Sequence, residues 1–176
     1  HPCPMDRIMA IAKDYSLRVV EDAAEAHGAL FYPKGDPQRA QYAGAIGDVG
    51  CFSFYANKIV TTGEGGMVVT NDDAVAERAR RLKDLAHAPQ KRFLHTELAF
   101  NYRMTNVQAA IGVAQLEEIE KYIEIKQDMA SEYKRLLSGV RGLTLPCQKE
   151  WARNVYWMYA VVVEDDRFLF IDALGA

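Results

Sequence analysis

Cysteine is scarce in this chain of 176 residues: only Cys3, Cys51 and Cys147 occur. Their odd number and wide spacing exclude a disulfide framework and a zinc-ligand pattern, and the natural compartment for such a chain is the cytoplasm. No apolar run approaches the roughly 18 residues needed to cross a bilayer. A charged-then-apolar leader is missing too, so secretion is not signalled. Neither charge sign dominates. Lys and Arg number 21 against 24 Asp and Glu, for a net charge of -3. The basic residues are scattered, which argues against a nucleic-acid surface. Internal repeats and low-complexity segments are absent. What remains is 49% hydrophobic and 26% charged, suited to a soluble globular domain with a sizeable core and part of a second domain.

Periodicity divides the chain into helices and strands. A helix is predicted over 4–15, with proline in its first turn and Met5, Ile8, Met9, Ile11, Ala12 and Tyr15 on one face. A strand follows over 17–21, the short step typical of α/β layers. Residues 28–45 are rich in Gly, Pro and polar types and read as a surface excursion. Asn71 or Asp72 caps a helix over 73–85, whose arginines and Lys83 form a solvated face. Residues 87–95 read as a polar loop. His87 and His95 within it have no carboxylate or thiol at ligand spacing, so no metal site is expected. Thr105 and Gln108 form a capping box that opens a helix running to about residue 137, with room for a bend at Gly112. Residues 156–163 read as a strand.

The chemistry concentrates in CFSFYANKIVTTGEGGMVV, residues 51–69. Two apolar runs that suit buried strands flank a loop holding a single lysine, Lys58. The Gly63–Gly66 stretch lets backbone approach backbone or ligand closely. As a pattern, Lys58 fits either a loop lysine reaching solvent or a desolvated amine able to act as a nucleophile. Upstream, LRVVED ends in carboxylates where a parallel strand would present its carboxyl end, the place such sheets bind ligands. A lysine and an acid so placed are the two groups that pyridoxal phosphate chemistry needs.

Three stretches, VVEDAAEAHGA, GDVGCFSFYANKIVTTGEGGMVVTND and FNYRMTNVQAAIGVAQLE, resemble the DegT/DnrJ/EryC1/StrS family of pyridoxal-phosphate-dependent sugar-nucleotide aminotransferases. The resemblance runs from residue 1 to about residue 164. It implies an aspartate-aminotransferase-like α/β fold of fold type I, a three-layer large domain around a mixed, mostly parallel sheet. Residues 1–140 would belong to that large domain and 141–176 to the start of a small C-terminal domain. It implies that Lys58 carries pyridoxal 5'-phosphate as a Schiff base and that Asp22 faces the pyridine nitrogen. Glu25 would lie by the phenolic oxygen, Ser53 would hold the phosphate, and Asn101 would reach the phosphate in a neighbouring subunit. His27 would lie beside them. Taken without the resemblance, Ser53, Asn101 and His27 are better read as a satisfied strand hydroxyl, a helix-entry residue and a packed histidine.

The implied reaction moves nitrogen from glutamate to a nucleotide-linked 4-keto-6-deoxy sugar, and HTELAFNYRMTN favours GDP-4-keto-6-deoxymannose aminated at C4. Alternatives are UDP- or dTDP-linked sugars, or a non-catalytic binding protein that keeps the pocket. The family's dehydratase branch carries histidine where this chain has Lys58. A homodimer or larger homo-oligomer is expected. Against the family pattern the chain resembles a fragment lacking about the first third, inactive alone, and RFLFIDALGA departs from the pattern.

Overall fold

A computed structural model describes residues 1–164; the stretch RFLFIDALGA lies outside them. Helix α1 spans Met5–Asp14, and strand β1, Val20–Asp22, follows. Strands β2 (Leu30–Phe31) and β3 (Gln41–Tyr42) come next, then β4 (Val49–Ser53) and β5 (Gly66–Thr70). Helix α2 covers Asp73–Lys83. The hairpin β6 (His87–Ala88) and β7 (Lys91–His95) precedes helices α3 (Asn106–Glu117) and α4 (Ile119–Leu137). Short strands β8 (Leu143–Thr144), β9 (Ala152–Arg153) and β10 (Val162–Val163) complete the described chain.

The sheet that positions the site has the order β1-β4-β5. Strand β1 runs parallel to β4, with Asp22 opposite Cys51, and β5 is antiparallel to β4. The sheet is therefore partly parallel. Glu21 secures its edge: the carboxylate accepts from the backbone N–H groups of Gly44, Ile46 and Gly47 at 2.8, 2.6 and 2.5 Å. One carboxylate thus satisfies three donors of the turn that leads into β4.

Several predicted elements differ. Residues 28–45 are not simply a surface excursion, because β2 pairs with both β3 and β9. Ala29 and Phe31 are buried there, and Ala29 joins Ala43, Ile59, Ile123 and Val155 in one apolar cluster. The polar loop over 87–95 is a hairpin, with His87 and His95 rings 4.7 Å apart. The long helix breaks at Glu118, whose φ of -104° and ψ of 8° interrupt the ladder between α3 and α4, rather than bending at Gly112. Gly112 instead packs closely on Thr62. Tertiary contact overrode local pattern in each case. The strand over 156–163 shrinks to Val162–Val163. Met67 and Val68 are largely exposed rather than buried, as are Ile11 and Tyr15 on α1. The arginines of α2 are not merely solvated, since Arg78 and Arg81 both pair with Glu97. Asp72 caps α2 through Ala74 and Val75, as expected.

Candidate active site

Strand geometry places the first two groups. Successive side chains alternate between faces, so Asp22 lies opposite the face on which Glu21 binds its turn. Its strand partner Cys51 and, two residues on, Ser53 share that face through the β1–β4 register. Asp22 and Ser53 therefore stand on one side of the sheet, at the carboxyl ends of adjacent parallel strands. The Asp22 carboxylate accepts from Ala24 N–H at 3.1 Å, and the Ser53 hydroxyl oxygen accepts from Tyr55 N–H at 3.2 Å. Both carry only a local turn bond in addition to their strand contacts.

Lys58 is set by the loop between β4 and β5. Phe54 N–H donates to Gly65 O at 2.8 Å and Thr62 N–H to Phe54 O at 3.0 Å, closing the loop base. Lys58 N–H donates to Tyr55 O at 3.0 Å. Ile59, Val60 and Thr62 are buried immediately after it. Gln115 of α3 accepts from Thr61 N–H at 2.8 Å, and Gln108 donates to Glu64 O at 3.0 Å. Gly65, with φ of +155°, allows the return, because a Cβ there would lie 2.6 Å from the Thr62 hydroxyl.

The lysine is held on both sides. Its side chain is only 10% exposed, and Nζ lies 3.4 Å from Glu25 Oε1, whose own side chain is 59% exposed. Nζ also sits 3.8 Å from the centroid of the Trp157 ring, over its face. Trp157 Nε1–H donates to Asn57 O at 2.7 Å. So the amine is neither free in solvent nor buried without a partner: it has a carboxylate and an indole face. Beside it lies a cavity of about 320 Å³ lined by Lys58, Asn57, Thr61, Gln115, Tyr122 and Lys126 among others.

His27 is buried at 4% exposure, and its ring stacks on Phe54 and tilts against Phe52, each with centroids 5.7 Å away. Neither ring nitrogen has a hydrogen-bond partner among the described residues. Burial pushes its pKa below the usual 6.5, opposed by the Ser53 backbone and aided by the nearby Lys58 charge.

The structure joins Glu25 to Lys58 and sets Asp22 beside Ser53. It does not join Asn101 to either pair. Asn101 forms a bridge with Asp84, and its Oδ1 accepts from Arg103 Nε at 2.9 Å. Sequence reasoning missed Trp157, which lies 100 residues from the Asn57 carbonyl it binds; no local signal links the two. A lysine amine against a carboxylate, and a carboxylate and a hydroxyl at the ends of β1 and β4, are group types that fit an aldehyde-bearing, phosphorylated pyridine. A larger cavity of about 890 Å³ lies over β5 and α2, lined by Met67, Val68, Ala76, Leu82, Phe100 and Tyr102 among others, and contains none of the five predicted residues.

A family model described as the DegT/DnrJ/EryC1/StrS aminotransferase family matches residues 1–175. The chain is 40% identical to GDP-perosamine synthase of Caulobacter vibrioides, over 98% of this chain and 47% of that protein. It is 38% identical to GDP-perosamine synthase of Escherichia coli O157:H7, over 92% of this chain and 42% of that protein. Among solved structures, S. venezuelae DesV in complex with a ketimine intermediate superposes with a TM-score of 0.83 at 32% identity, covering 99% of this chain and 46% of that one. The chain thus spans less than half the length of these relatives.

Proposed function

The chain belongs to the DegT/DnrJ/EryC1/StrS aminotransferase family, and on that footing we propose that the whole protein moves an amino group from glutamate to a GDP-linked 4-keto-6-deoxy sugar. Enzymes of this family depend on pyridoxal phosphate, and the α/β layers here are those of fold type I. Bound through a lysine amine, that cofactor supplies an electron sink for the carbon losing its nitrogen.

In this reading the residues of the chain divide the remaining work. Lys58 Nζ anchors the aldehyde and, once released, moves the donor's Cα proton. The Asp22 carboxylate would hold the pyridine nitrogen and keep it protonated, an electrostatic role. Glu25 would lie near the phenolic oxygen, and the Ser53 hydroxyl would hold the phosphate. Asn101, exposed and apart from the other four, reaches the phosphate in a neighbouring subunit, which makes the working unit at least a homodimer. Residues 1–140 belong to the large domain and 141–176 begin the small one. The cytoplasm is the compartment.

The observation that carries this reading is the Lys58 amine gathered against Glu25 at the exits of β1 and β4, with Asp22 and Ser53 on one face of those strands. The GDP choice is supported by 40% and 38% identity to two GDP-perosamine synthases. The test is the full-length protein mixed with pyridoxal phosphate, reduced with borohydride and mapped by mass spectrometry. An adduct on Lys58 is expected, and none in Lys58→Ala. A panel of GDP-, UDP- and dTDP-linked keto sugars with glutamate should then give amination of the GDP sugar, falling about a thousandfold or more in Lys58→Ala. An unmodified Lys58 overturns the reading.

A further inference from the structure

The sequence pattern gave no reason to connect residues near position 157 with the lysine loop, yet the structure brings them together twice. The Trp157 ring face lies under Lys58 Nζ at 3.8 Å, and the indole N–H bonds the carbonyl of Asn57, the residue before the lysine. One side chain therefore fixes both the loop backbone and the amine at its tip. A cation over an indole is the most favourable cation–π pairing, and it strengthens as the pair is desolvated. Lys58 is nearly buried, so the contact belongs to the stronger kind.

Trp157 is itself held rigidly. The buried Asn154 side chain accepts from Tyr156 N–H at 3.0 Å, and Gln127 of α4 donates to Asn154 O at 3.0 Å. Lys126 Nζ donates to Trp157 O at 3.4 Å. Tyr159 stacks on both Tyr133 and Tyr156. The indole also packs against the apolar cluster around Ile123 and Val155. A side chain whose backbone is strapped to α4 in this way offers a preformed surface and loses little further freedom on receiving the amine.

We propose that Trp157 is the positioning residue for Lys58, setting where the free amine lies before and between its covalent and proton-transfer tasks. The inference rests on the aminotransferase reading for its purpose, because transamination would leave the lysine amine free while donor or product is bound, and the free amine would have to stay within reach of the proton it moves. Glu25, largely exposed, supplies charge without confinement. The indole supplies the confinement: its face sets where Nζ lies, and its N–H stops the loop from drifting.

The test uses the full-length protein with Trp157, Trp157→Phe and Trp157→Leu. Leu keeps an apolar filler without a π face, and Phe keeps a π face without the N–H. Trace acetylation with acetic anhydride is read lysine by lysine by mass spectrometry, with Lys13 and Lys83 as internal references. Lys58 is expected to label about fivefold faster in Trp157→Leu than in wild type, the ratio a single cation–π contact corresponds to, with Trp157→Phe between them. Lys58→Ala should change the tryptophan emission of the full-length protein, and that change should be absent when Lys58→Ala is made in a Trp157→Phe background, which assigns it to Trp157. Equal Lys58 labelling in all three proteins overturns the proposal, and so does unchanged Trp157 emission in Lys58→Ala. Borohydride trapping with pyridoxal phosphate separates the two ideas. An absent adduct in wild type removes the aminotransferase reading while the labelling contrast stands, and a present adduct with no labelling contrast removes only the role of Trp157.

Discussion

At Lys58 a single side chain shows how burial and partnership decide chemistry. A buried amine without a partner is disfavoured as a cation, but here Glu25 and Trp157 both face it. Glu21 next to the site does different work from Asp22, although the two are adjacent in sequence. Glu21→Ala would strand three backbone donors, and unfolding by urea should show a loss on the order of 2 kcal/mol. Asp22→Asn should leave the urea midpoint near wild type, because its carboxylate holds only the Ala24 turn, while lowering amination in the full-length protein. His27 gives a pH signature. Its pKa is depressed from 6.5 by burial, so the unfolded chain binds the proton more readily, and stability is lost as pH falls below 6.5. His27→Phe keeps the stack on Phe52 and Phe54, and urea midpoints measured across that range should lose this slope.

Elements were legible in the sequence where the signal is local. The capping box at Thr105 is present in both directions, with Gln108 N–H donating to the Thr105 hydroxyl and Thr105 N–H donating to Gln108 Oε1. Thr105→Ala should cost about 1 kcal/mol, measured by urea unfolding. The break at Glu118 had no such marker, since the residues on either side continue a helical pattern. It follows from where α3 and α4 must pack: Gly112 against Thr62 on one side, Ile123 into the cluster beneath Gly28 on the other. Gly50 shows the same dependence on distant contact. A Cβ there would lie 1.8 Å from Gly44 O, a backbone atom that cannot swing aside. Gly50→Ala should therefore destabilise by about 3 kcal/mol or more, and far-ultraviolet circular dichroism on melting would register it.

Across the whole molecule, long-range ion pairs and uncovered apolar surface set behaviour. Glu97 gathers Arg78 and Arg81 onto one carboxylate, binding the stretch after β7 to α2. Those partners, Arg78 first, lower its pKa from 4.5 to about 2. A depressed carboxylate stabilises above its unfolded value, so this contribution is complete above pH 4.5 and disappears as pH falls toward about 2. Glu97→Gln should remove that part of the acid limb, and added salt should weaken it in wild type because the arginine partners reach solvent. Leu98 at 84% exposure is uncovered, and Met67, Val68, Phe100 and Tyr102, all about half exposed or more, line the cavity on β5 and α2. Light scattering on the 176-residue chain should report species larger than a monomer, since apolar area of this kind seeks cover.

The sequence by itself determined the lysine-bearing loop between two strands, the acid at the end of β1, the caps of α2 and α3, and the family. These are set by residue type at short spacing, where backbone hydrogen bonds and side-chain periodicity act. The tertiary structure alone decided that residues 28–45 enter the core, that the long helix is two, that Glu21 and Asp22 face opposite ways into different tasks, and that Trp157 lies beneath Lys58. Each of those depends on groups brought together from distant positions by burial and by satisfaction of backbone donors, and neither leaves a mark on the local order of residues.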